Sequence, residues 1–266
     1  PRKYGENNAA VPVPVTESWD AIVAQAEKQV TDAPELEDFL TERPITVRCR
    51  THKASLREIV TSLKSQGVTV EQAPYLPYAL KISDYNHILT LETFLQGKIL
   101  VQDVSSMLVA EAASPKKGDH IIDMCAAPGG KSIHAADKMG DYGNVDARDV
   151  SQYKADLIKE NIHRTGVINV EARVQDATVY DPDSEQAADI VIADVPCSGY
   201  GVIGKKPEIK YRATPQKQEE IVMLQRMILD KAAKYVKPDG TLIFSTCTIA
   251  REENEENVLW FLKNYP

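Results

Sequence analysis

The sequence predicts an α/β protein whose sheet is mainly parallel and covered by helices on both faces. From residue 118 onward, short apolar runs alternate with segments whose apolar residues recur at the spacing of an α-helix. This alternation is typical of βαβ units, in which a helix crosses back over the sheet after each strand. Ligands of such sheets bind beyond the carboxyl ends of the strands, so the residues after each apolar run are the first candidates for a site.

The order of the predicted elements supports this fold class. Strands are predicted over 119–125, 144–149, 170–176, 188–195 and 241–248, and helices over 131–140, 151–166, 214–240 and 252–265. Ser151 and Thr214 are typical N-cap residues, and Pro215 suits a first helical turn. Gly140 and Gly166 are typical of the ends of helices. Three of the four helices therefore have sequence signals at one or both ends.

A smaller unit precedes this region. Residues 44–50 alternate apolar with polar side chains, which predicts a half-exposed strand. Residues 55–67 show helical spacing that stops at Gly67, and short strands are expected at 68–72 and 78–82. The unit therefore has a β-α-β-β order.

These patterns divide the chain into three parts. Residues 1–40 form an N-terminal extension, in which an extended Pro/Val-rich stretch precedes an amphipathic helix that begins at Ser18. Residues 41–98 form a small α/β subdomain, and residues 99–266 form the larger α/β domain.

Composition argues against a membrane-spanning, secreted, disulfide-rich or metal-binding protein. The chain has 266 residues and a net charge of -8, so a polyanionic partner requires a local basic face. It contains no apolar run of the length that spans a membrane and no secretory leader, and its four cysteines form no dense disulfide framework, so we expect a cytoplasmic protein. We also expect a monomer. The cysteines lack C-x-x-C pairs and the histidines lack ligand spacing, so no metal site is expected.

Four of the predicted strands carry an acidic residue at or near their carboxyl ends, and two have a thiol at or just after that end. The acids are Asp123, Asp149, Asp176 and Asp194; "VPCSG" follows the last of them, and "STCT" ends the fifth strand. Carboxylates that converge on one sheet edge repel one another unless a ligand with hydrogen-bond donors lies among them. The sequence therefore predicts such a ligand.

The loop after the first strand indicates which ligand. "CAAPGGK", residues 125–131, lets backbone N–H groups approach a ligand at a helix N-terminus, but its glycine spacing fits neither a dinucleotide fingerprint nor a P-loop. Asp149, nineteen positions past Gly130, is placed to accept hydrogen bonds from ribose hydroxyls, and Asp176 to meet an adenine amino group. A nucleoside without phosphates fits best, and S-adenosylmethionine (SAM) is the common one.

Three motifs together resemble the RNA cytosine-5 methyltransferases of the Sun/Nol1/Nop2 family, most closely its bacterial RsmB-type members, which methylate 16S ribosomal RNA. They are "DMCAAPGGK" (123–131), "DVPCSGYGVIGKKPEIKY" (194–211) and "FSTCTIAREENEENV" (244–258). The likeness covers about residues 41–266 and includes "ILVQDVSSMLV" (99–109).

The resemblance implies a class I Rossmann-like SAM-dependent methyltransferase fold, preceded by a small α/β, RRM-like, RNA-binding subdomain. Family members continue past the last helix into further strands, so we expect the catalytic domain to be truncated at its C-terminus. RsmB-type members begin with a helical NusB-like domain, which the residues before 41 do not match. The SAM contacts of the family correspond to Cys125, Ala126, Ala127, Pro128, Gly129, Gly130, Lys131, Asp149, Asp176 and Asp194.

Two thiols compete for the role of nucleophile. C5 of cytosine accepts a methyl group after a thiolate adds to C6, and a carboxyl group that faces N3 offsets the charge that develops. DNA cytosine-5 methyltransferases use the thiol of a Pro-Cys pair, here Cys197. The RNA family uses the thiol after the fifth strand, here Cys247, while the Pro-Cys thiol assists product release. Following the closer resemblance, we expect Cys247 to attack, Cys197 to assist release and Asp194 to contact N3.

Basic residues are candidates for contacts with RNA phosphates. Four follow the Pro-Cys loop: Lys205, Lys206, Lys210 and Arg212. Four more lie on the small subdomain: Arg43, Arg48, Arg50 and Lys53. The target cytosine must be single-stranded or unstacked for a thiol to reach C6.

Other functions remain open at this stage. The same chemistry on transfer RNA is the nearest alternative. A non-catalytic RNA-binding or assembly factor is another, although it gives no reason for two thiols at strand ends. An amino-methylating enzyme is disfavoured because "DVPC" lacks the aromatic residue that such enzymes place after their prolines.

Overall fold

The computed structural model describes residues 45–140, 142–206, 209 and 214–265, all within the compact unit Glu42–Pro266. The expected extension 1–40 lies outside the described residues, as do Arg43, Lys210 and Arg212.

The small subdomain is a four-stranded antiparallel sheet with helices. Its elements are β1 (Ile45–Cys49), α1 (Leu56–Ser65), β2 (Thr69–Gln72), β3 (Ala79–Ser83), α2 (Glu92–Leu95) and β4 (Ile99–Val101). The sheet order is β2-β3-β1-β4, with β1 paired to both β3 and β4. The β-α-β-β order expected from sequence is thereby extended by α2 and β4 to a split βαβ arrangement. Since β4 starts at Ile99, the small sheet extends past residue 98.

The larger domain is a five-stranded parallel sheet with helices between its strands. In chain order it comprises α3 (Val104–Ala113), β5 (His120–Asp123), α4 (Gly130–Met139), β6 (Asn144–Asp149), α5 (Gln152–Thr165), β7 (Val170–Val174), β8 (Ala188–Asp194), α6 (Pro215–Tyr235), β9 (Val236–Ser245) and α7 (Glu255–Asn264). The strand order is β7-β6-β5-β8-β9. All four strand pairings are parallel, which confirms the predicted α/β fold.

The strand order places a ligand crevice at the centre of the sheet. From β5 the chain proceeds outward through β6 to β7 and then returns to β8 on the other side of β5. Doubly wound sheets bind ligands at this reversal, beyond the carboxyl ends of the two central strands. Buried apolar clusters on the two faces hold the sheet; they include Ile121, Ile133, Val145 and Ile158 on one face and Ile122, Val191, Ile228 and Leu229 on the other.

Two element ends differ from the sequence predictions, for local reasons. The helix predicted to reach Gly240 ends at Tyr235, because Pro238 disfavours helical backbone at the residue before it and lacks an N–H. The last helix starts at Glu255 instead of Glu252, because Arg251–Glu253 forms a separate 3₁₀ turn.

The prediction of a half-exposed β1 is wrong. Arg48 and Arg50 are 2% and 1% exposed, because the sheet face that carries them packs against the larger domain. Both guanidinium groups form ion pairs with Asp137 of α4 at 2.7 Å, and Arg50 also donates to the carbonyl oxygens of Gly97 and Thr165 at 3.0 and 2.5 Å. The expectation that these two arginines contact RNA is therefore also wrong.

An apolar cluster completes this contact. Ala79 of β3 packs with Ala73, Leu76 and Met107, of which Met107 lies on α3. The centre of one face of the small sheet is thus covered by α3 and α4. Among the described residues, no helix is both long and apolar enough to cross a membrane.

Candidate active site

The two candidate thiols meet at the carboxyl ends of β8 and β9. These strands are parallel neighbours with Asp194 opposite Ser245, so the residues that follow them lie side by side. The sulfur atoms of Cys197 and Cys247 are 3.0 Å apart, and the backbone N–H of Cys247 donates to Cys197 Sγ at 3.2 Å. Two thiols fifty positions apart in sequence thus form one pair.

The pair favours a thiolate on Cys247. A hydrogen bond from Cys197 lowers the pKa of Cys247 to about 7, helped by the charges of Lys206 and Lys131, although burial and Asp194 act in the opposite direction. The pKa of Cys197 is raised, first by this same hydrogen bond and then by burial. Cys247 is also the more exposed of the two thiols. It is therefore the better nucleophile at neutral pH.

A buried carboxylate holds the loop that carries Cys197. Glu253 is fully buried, and its Oε2 accepts hydrogen bonds from the Ser198 N–H and from Gln225 Nε2, both at 2.9 Å. Gln225 Nε2 also donates to the Pro196 carbonyl at 2.9 Å, and Gln225 Oε1 accepts from Asn257 Nδ2 at 2.7 Å. Gln225 of α6 and Glu253 of the 3₁₀ turn before α7 thus fix the backbone on both sides of Cys197.

The Cys247 loop is tied to the same framework. Thr248 Oγ1 and Ser198 Oγ are 2.7 Å apart, which joins the two loops directly. Asn254 accepts from Thr246 Oγ1 at 2.6 Å and donates to the Thr248 carbonyl at 3.1 Å. The backbone on either side of Cys247 is therefore held by side-chain hydrogen bonds.

Glycine at position 201 allows the two loops to approach each other. The Gly201 N–H donates to the Cys247 carbonyl at 3.1 Å, and a Cβ at this position would lie 2.9 Å from that oxygen. Any larger residue would force the loops apart.

Asp194 lies beside the thiols, and both oxygen atoms of its carboxylate accept hydrogen bonds. Its Oδ2 accepts from Lys131 Nζ at 2.6 Å, and its Oδ1 accepts from Ser245 Oγ at 2.7 Å. Lys131 therefore links the loop after β5 to the carboxylate near the thiols.

Asp149 organises the other end of the crevice. Its Oδ2 accepts from the Ala127 N–H at 3.0 Å, and its Oδ1 accepts from the Val150 N–H at 2.8 Å and lies 3.0 Å from Lys154 Nζ. This places the carboxylate against the loop of residues 125–131.

A cavity of about 200 Å³ opens between the ends of β5, β6 and β7. Its lining combines apolar side chains with two carboxylates: Met124, Cys125, Asp149, Val150, Lys154, Asp176, Ala177, Thr178, Pro196, Leu224 and Ile228. Apolar walls with a few polar groups suit the flat base and the hydroxyls of a nucleoside. The residues present therefore fit the adenosyl end of SAM.

Asp123 is not part of the ligand-facing set. It is fully buried, Ser132 Oγ donates to its Oδ2 at 2.6 Å, and its Oδ1 has no partner among the described residues. Burial, and then the charge of Asp194, raises the pKa of Asp123 to about 7. The carboxyl group lies beneath the loop rather than in the crevice, because its side chain turns towards the helix that follows.

A second cavity, of about 430 Å³, lies on the outer side of the thiol pair. Its lining includes both thiols and two lysines: Cys197, Ser198, Gly199, Tyr200, Val202, Lys206, Ile209, Thr214, Lys217, Gln218, Ile221 and Cys247. Lys206 lines this cavity, and its contact with RNA near the target base stays a prediction. Lys205 instead forms an ion pair with Asp103.

Comparison with known proteins identifies the family. The model of the 16S rRNA methyltransferase RsmB/F family matches residues 110–266, more than half of the chain. The chain belongs to the RsmB/F family. This is a family of SAM-dependent rRNA methyltransferases, and SAM is its cofactor.

Similar proteins agree with this RsmB/F assignment. The chain is 37% identical over 222 residues to a probable ribosomal RNA small subunit methyltransferase B of Bacillus subtilis, covering 83% of this chain and 49% of that protein. It is 32% identical over 257 residues to ribosomal RNA small subunit methyltransferase F of Shigella dysenteriae, covering 93% and 54%. The chain thus spans about half the length of these relatives.

Solved structures support the RsmB/F fold. A methyltransferase homolog protein from Pyrococcus horikoshii is 30% identical with a TM-score of 0.73, covering 86% of this chain and 72% of that one. NSun6 from the same organism, solved with SFG, has a TM-score of 0.78 with 86% and 82% covered; at 24% identity it supports the fold alone.

The residues that brace the RsmB/F thiol loops were missed by sequence reasoning. Glu253 lies in the run "EENEEN", which has the composition of a solvated helix face, and Gln225 lies within a long amphipathic helix. The matching motif "FSTCTIAREENEENV" contains Glu253, but only the three-dimensional structure shows that this carboxylate is buried. The cysteines and Asp194 were found because each lies at or just after the carboxyl end of a predicted strand.

Proposed function

We propose that this chain methylates C5 of a cytosine in RNA, and that it does so through a covalent bond between Cys247 Sγ and C6 of the base. The observation that carries the proposal is the 3.0 Å pair of Cys197 and Cys247 beside Asp194. The cofactor, when bound, supplies an electrophilic methyl group. Side chains of the crevice carry out the attack on C6, the stabilisation of charge at N3 and the release of the base.

The first step is addition of the Cys247 thiolate to C6. Electrons move from the C5–C6 bond towards N3 and O2, and a proton that N3 takes up from solvent is held by a hydrogen bond to the Asp194 carboxylate, which offsets the developing charge. C5 then has the nucleophilic character needed to take the methyl group. Lys131, whose Nζ lies 2.6 Å from Asp194 Oδ2, holds that carboxylate in place.

The second half of the reaction releases the base. Transfer of the C5 proton to water re-forms the C5–C6 double bond and expels Cys247 as a thiolate, and the proton at N3 returns to solvent. The S–H of Cys197 next to that sulfur can stabilise the departing thiolate by a hydrogen bond. This supports the role of Cys197 in product release.

Single substitutions of the two thiols test the assignment. Cys247→Ala should abolish methyl transfer to RNA, whereas Cys197→Ala should retain addition but accumulate a protein–RNA adduct on a denaturing gel. The opposite pattern would assign attack to Cys197. An RNA that contains 5-fluorocytosine should trap the adduct in the unsubstituted chain, and absence of any adduct in all three proteins would favour a non-catalytic RNA-binding factor.

We infer that the substrate is 16S ribosomal RNA, since the matching relatives carry the name of small subunit rRNA methyltransferases. Lys206 and Lys217, in the cavity outside the thiol pair, are positioned for contacts with the RNA backbone. Methyl transfer to protein-free 16S rRNA and to transfer RNA should be compared at equal concentration. A preference for transfer RNA would overturn the choice of substrate but not the chemistry.

A further inference from the structure

The two thiols at the ends of β8 and β9 are open to small molecules. Cys247 is exposed and Cys197 is half-buried, and both line the cavity of about 430 Å³ on the outer side of the pair. The other two cysteines differ, because burial raises the pKa of Cys49 to about 12 and raises that of Cys125 well above its ordinary value. Accessible thiols with a lowered pKa are the ones that oxidants attack. Oxidation of this chain should therefore begin at Cys247.

The geometry places a second sulfur beside the one that is oxidised first. The Sγ atoms are 3.0 Å apart and a disulfide bond is about 2.05 Å long, so bond formation requires an approach of about 1 Å. The Cys247 N–H already donates to Cys197 Sγ at 3.2 Å, so the main chains are close enough for side-chain rotation to bring the sulfurs together. Hydrogen bonds from the side chains of Glu253 and Asn254 hold the two loops in this arrangement. The thiols therefore stay within reach of each other.

We propose that Cys197 and Cys247 form a reversible disulfide when the chain meets a peroxide, and that this removes the thiolate from the crevice. The Cys247 thiolate attacks one oxygen of hydrogen peroxide, the O–O bond breaks, and the sulfur becomes a sulfenic acid while hydroxide leaves and takes a proton from solvent. The Cys197 sulfur then attacks the oxidised sulfur, the S–O bond breaks, and the hydroxyl group leaves as water with the Cys197 proton. Two thiols and one hydrogen peroxide thus give one disulfide and two water molecules.

The disulfide changes the thiol end of the crevice and leaves the cofactor end as it is. A sulfur atom within a disulfide is not a thiolate and does not add to C6. The cavity with Asp149 and Asp176 contains neither Cys197 nor Cys247, so cofactor binding there should be retained. The loss of methyl transfer rests on the proposed role of Cys247, whereas formation of the disulfide rests only on the geometry of the pair.

Treatment of the reduced chain with hydrogen peroxide, in the absence of RNA, tests bond formation. We expect the number of free thiols to fall from four to two. Mass spectrometry after digestion should find one cross-linked species, which joins the peptides of Cys197 and Cys247, and a thiol reductant should restore both thiols. The affinity for S-adenosylhomocysteine, measured by calorimetry, should change less than about twofold, which shows that the oxidised chain is folded.

Two substitutions distinguish a partner thiol from a bystander. Cys197→Ser leaves the Cys247 sulfenic acid without a thiol to attack it, so dimedone should trap this acid, and further peroxide should convert it to a sulfinic acid that a thiol reductant does not reverse. Cys49→Ala is the matched control, because it removes a buried thiol of the small subdomain and should leave the cross-link unchanged. The peptide map of the unsubstituted chain needs neither variant.

Two results would overturn the proposal. Conversion of Cys247 to a sulfinic acid in the unsubstituted chain, with Cys197 still reduced, would mean that the pair does not close. A cross-link to Cys49 or Cys125, or between two chains, would assign the oxidation to other thiols.

Trapping with 5-fluorocytosine RNA and SAM tests the proposed function separately. We expect the reduced chain to form the adduct, the cross-linked chain to form less than about a tenth as much, and the reductant to restore it. A reduced chain that forms the cross-link but no adduct would refute the cytosine chemistry and leave the disulfide in place. An adduct formed by the cross-linked chain would refute both its inactivation and the role of Cys247.

Discussion

At the scale of single residues, the chemistry depends on how one proton is shared between two sulfur atoms. Cys197 and Cys247 are close enough that a negative charge on one sulfur is stabilised by the S–H of the other. At this distance two negative charges would repel each other, so only one of the two thiols is ionised at a time. Lys206 and Lys131 favour the charge on Cys247. The pair therefore provides a thiolate without a histidine as general base.

This arrangement predicts the pH dependence of Cys247 reactivity. With its pKa lowered to about 7, the thiolate is the minor form below pH 7 and the major form above it, so alkylation by iodoacetamide should rise with pH and reach half its maximum near pH 7. Cys197→Ala removes the hydrogen bond and should shift that midpoint towards about 8.5, the value of an ordinary thiol. Mass spectrometry of the Cys247 peptide measures the rate; a midpoint unchanged by the substitution would contradict the role of the hydrogen bond.

The buried carboxylate of Glu253 predicts a second effect at this scale. Glu253→Ala removes the acceptor of the Ser198 N–H and of Gln225, which should destabilise the fold by about 1–3 kcal/mol and displace Cys197. We expect kcat for methyl transfer to fall while KM for RNA changes little, because the loop geometry and not the RNA contact is altered. Glu252→Ala is the control, since Glu252 is exposed and pairs with Gln218 at the surface. Equal effects of the two substitutions would refute the bracing role.

At the scale of elements, β1 and α4 are joined by a buried ion cluster. Asp137 is 6% exposed and faces both Arg48 and Arg50. Burial alone would raise its pKa, but the hydrogen bond from Arg50 and the two positive charges lower the pKa below its ordinary value. This carboxylate therefore stabilises the folded state above the pKa of the unfolded chain, and the contribution is lost as pH falls through the lower, folded-state pKa.

Asp137→Asn should therefore be strongly destabilising. The amide leaves two buried arginines without a counter-charge, and loss of one partner of a buried ion pair costs about 3–5 kcal/mol. Asp156→Asn, at an exposed pair with Lys159, should change stability by less than about 0.5 kcal/mol. Urea denaturation at pH 7 compares the two variants, and a small effect of Asp137→Asn would show that the cluster contributes little.

The same elements show what the sequence could and could not predict. The alternation in 44–50 correctly predicted a strand, but not the burial of its polar face, because the pattern does not reveal that Asp137 of α4 covers Arg48 and Arg50. The strand ends predicted Asp194 and both cysteines, because parallel neighbours bring the residues after them together. Glu253 was not predicted because a carboxylate in a charged run has the same composition whether it is solvated or buried.

At the scale of the whole molecule, the sequence predicted the parallel sheet, the family and the β-α-β-β part of the small subdomain, while α2, β4 and the packing of that subdomain needed the structure. Its split βαβ order is that of a sheet that other proteins use for RNA, yet here the centre of one face packs on α3 and α4. We therefore expect any RNA contact of the small subdomain to come from its edges and turns, such as the turn that carries Lys53, which is exposed.

The pairing of β4 with β1 has a practical consequence for protein engineering. A chimaera that takes residues 41–98 from one homologue and the remainder from another would draw β4 and β1 from different parents, and would set foreign arginines against the recipient's Asp137. An exchange that respects the packing must carry the sheet, α3 and the outer side of α4 together. The small subdomain is therefore not an independent unit that can be exchanged alone to change the specificity of the protein.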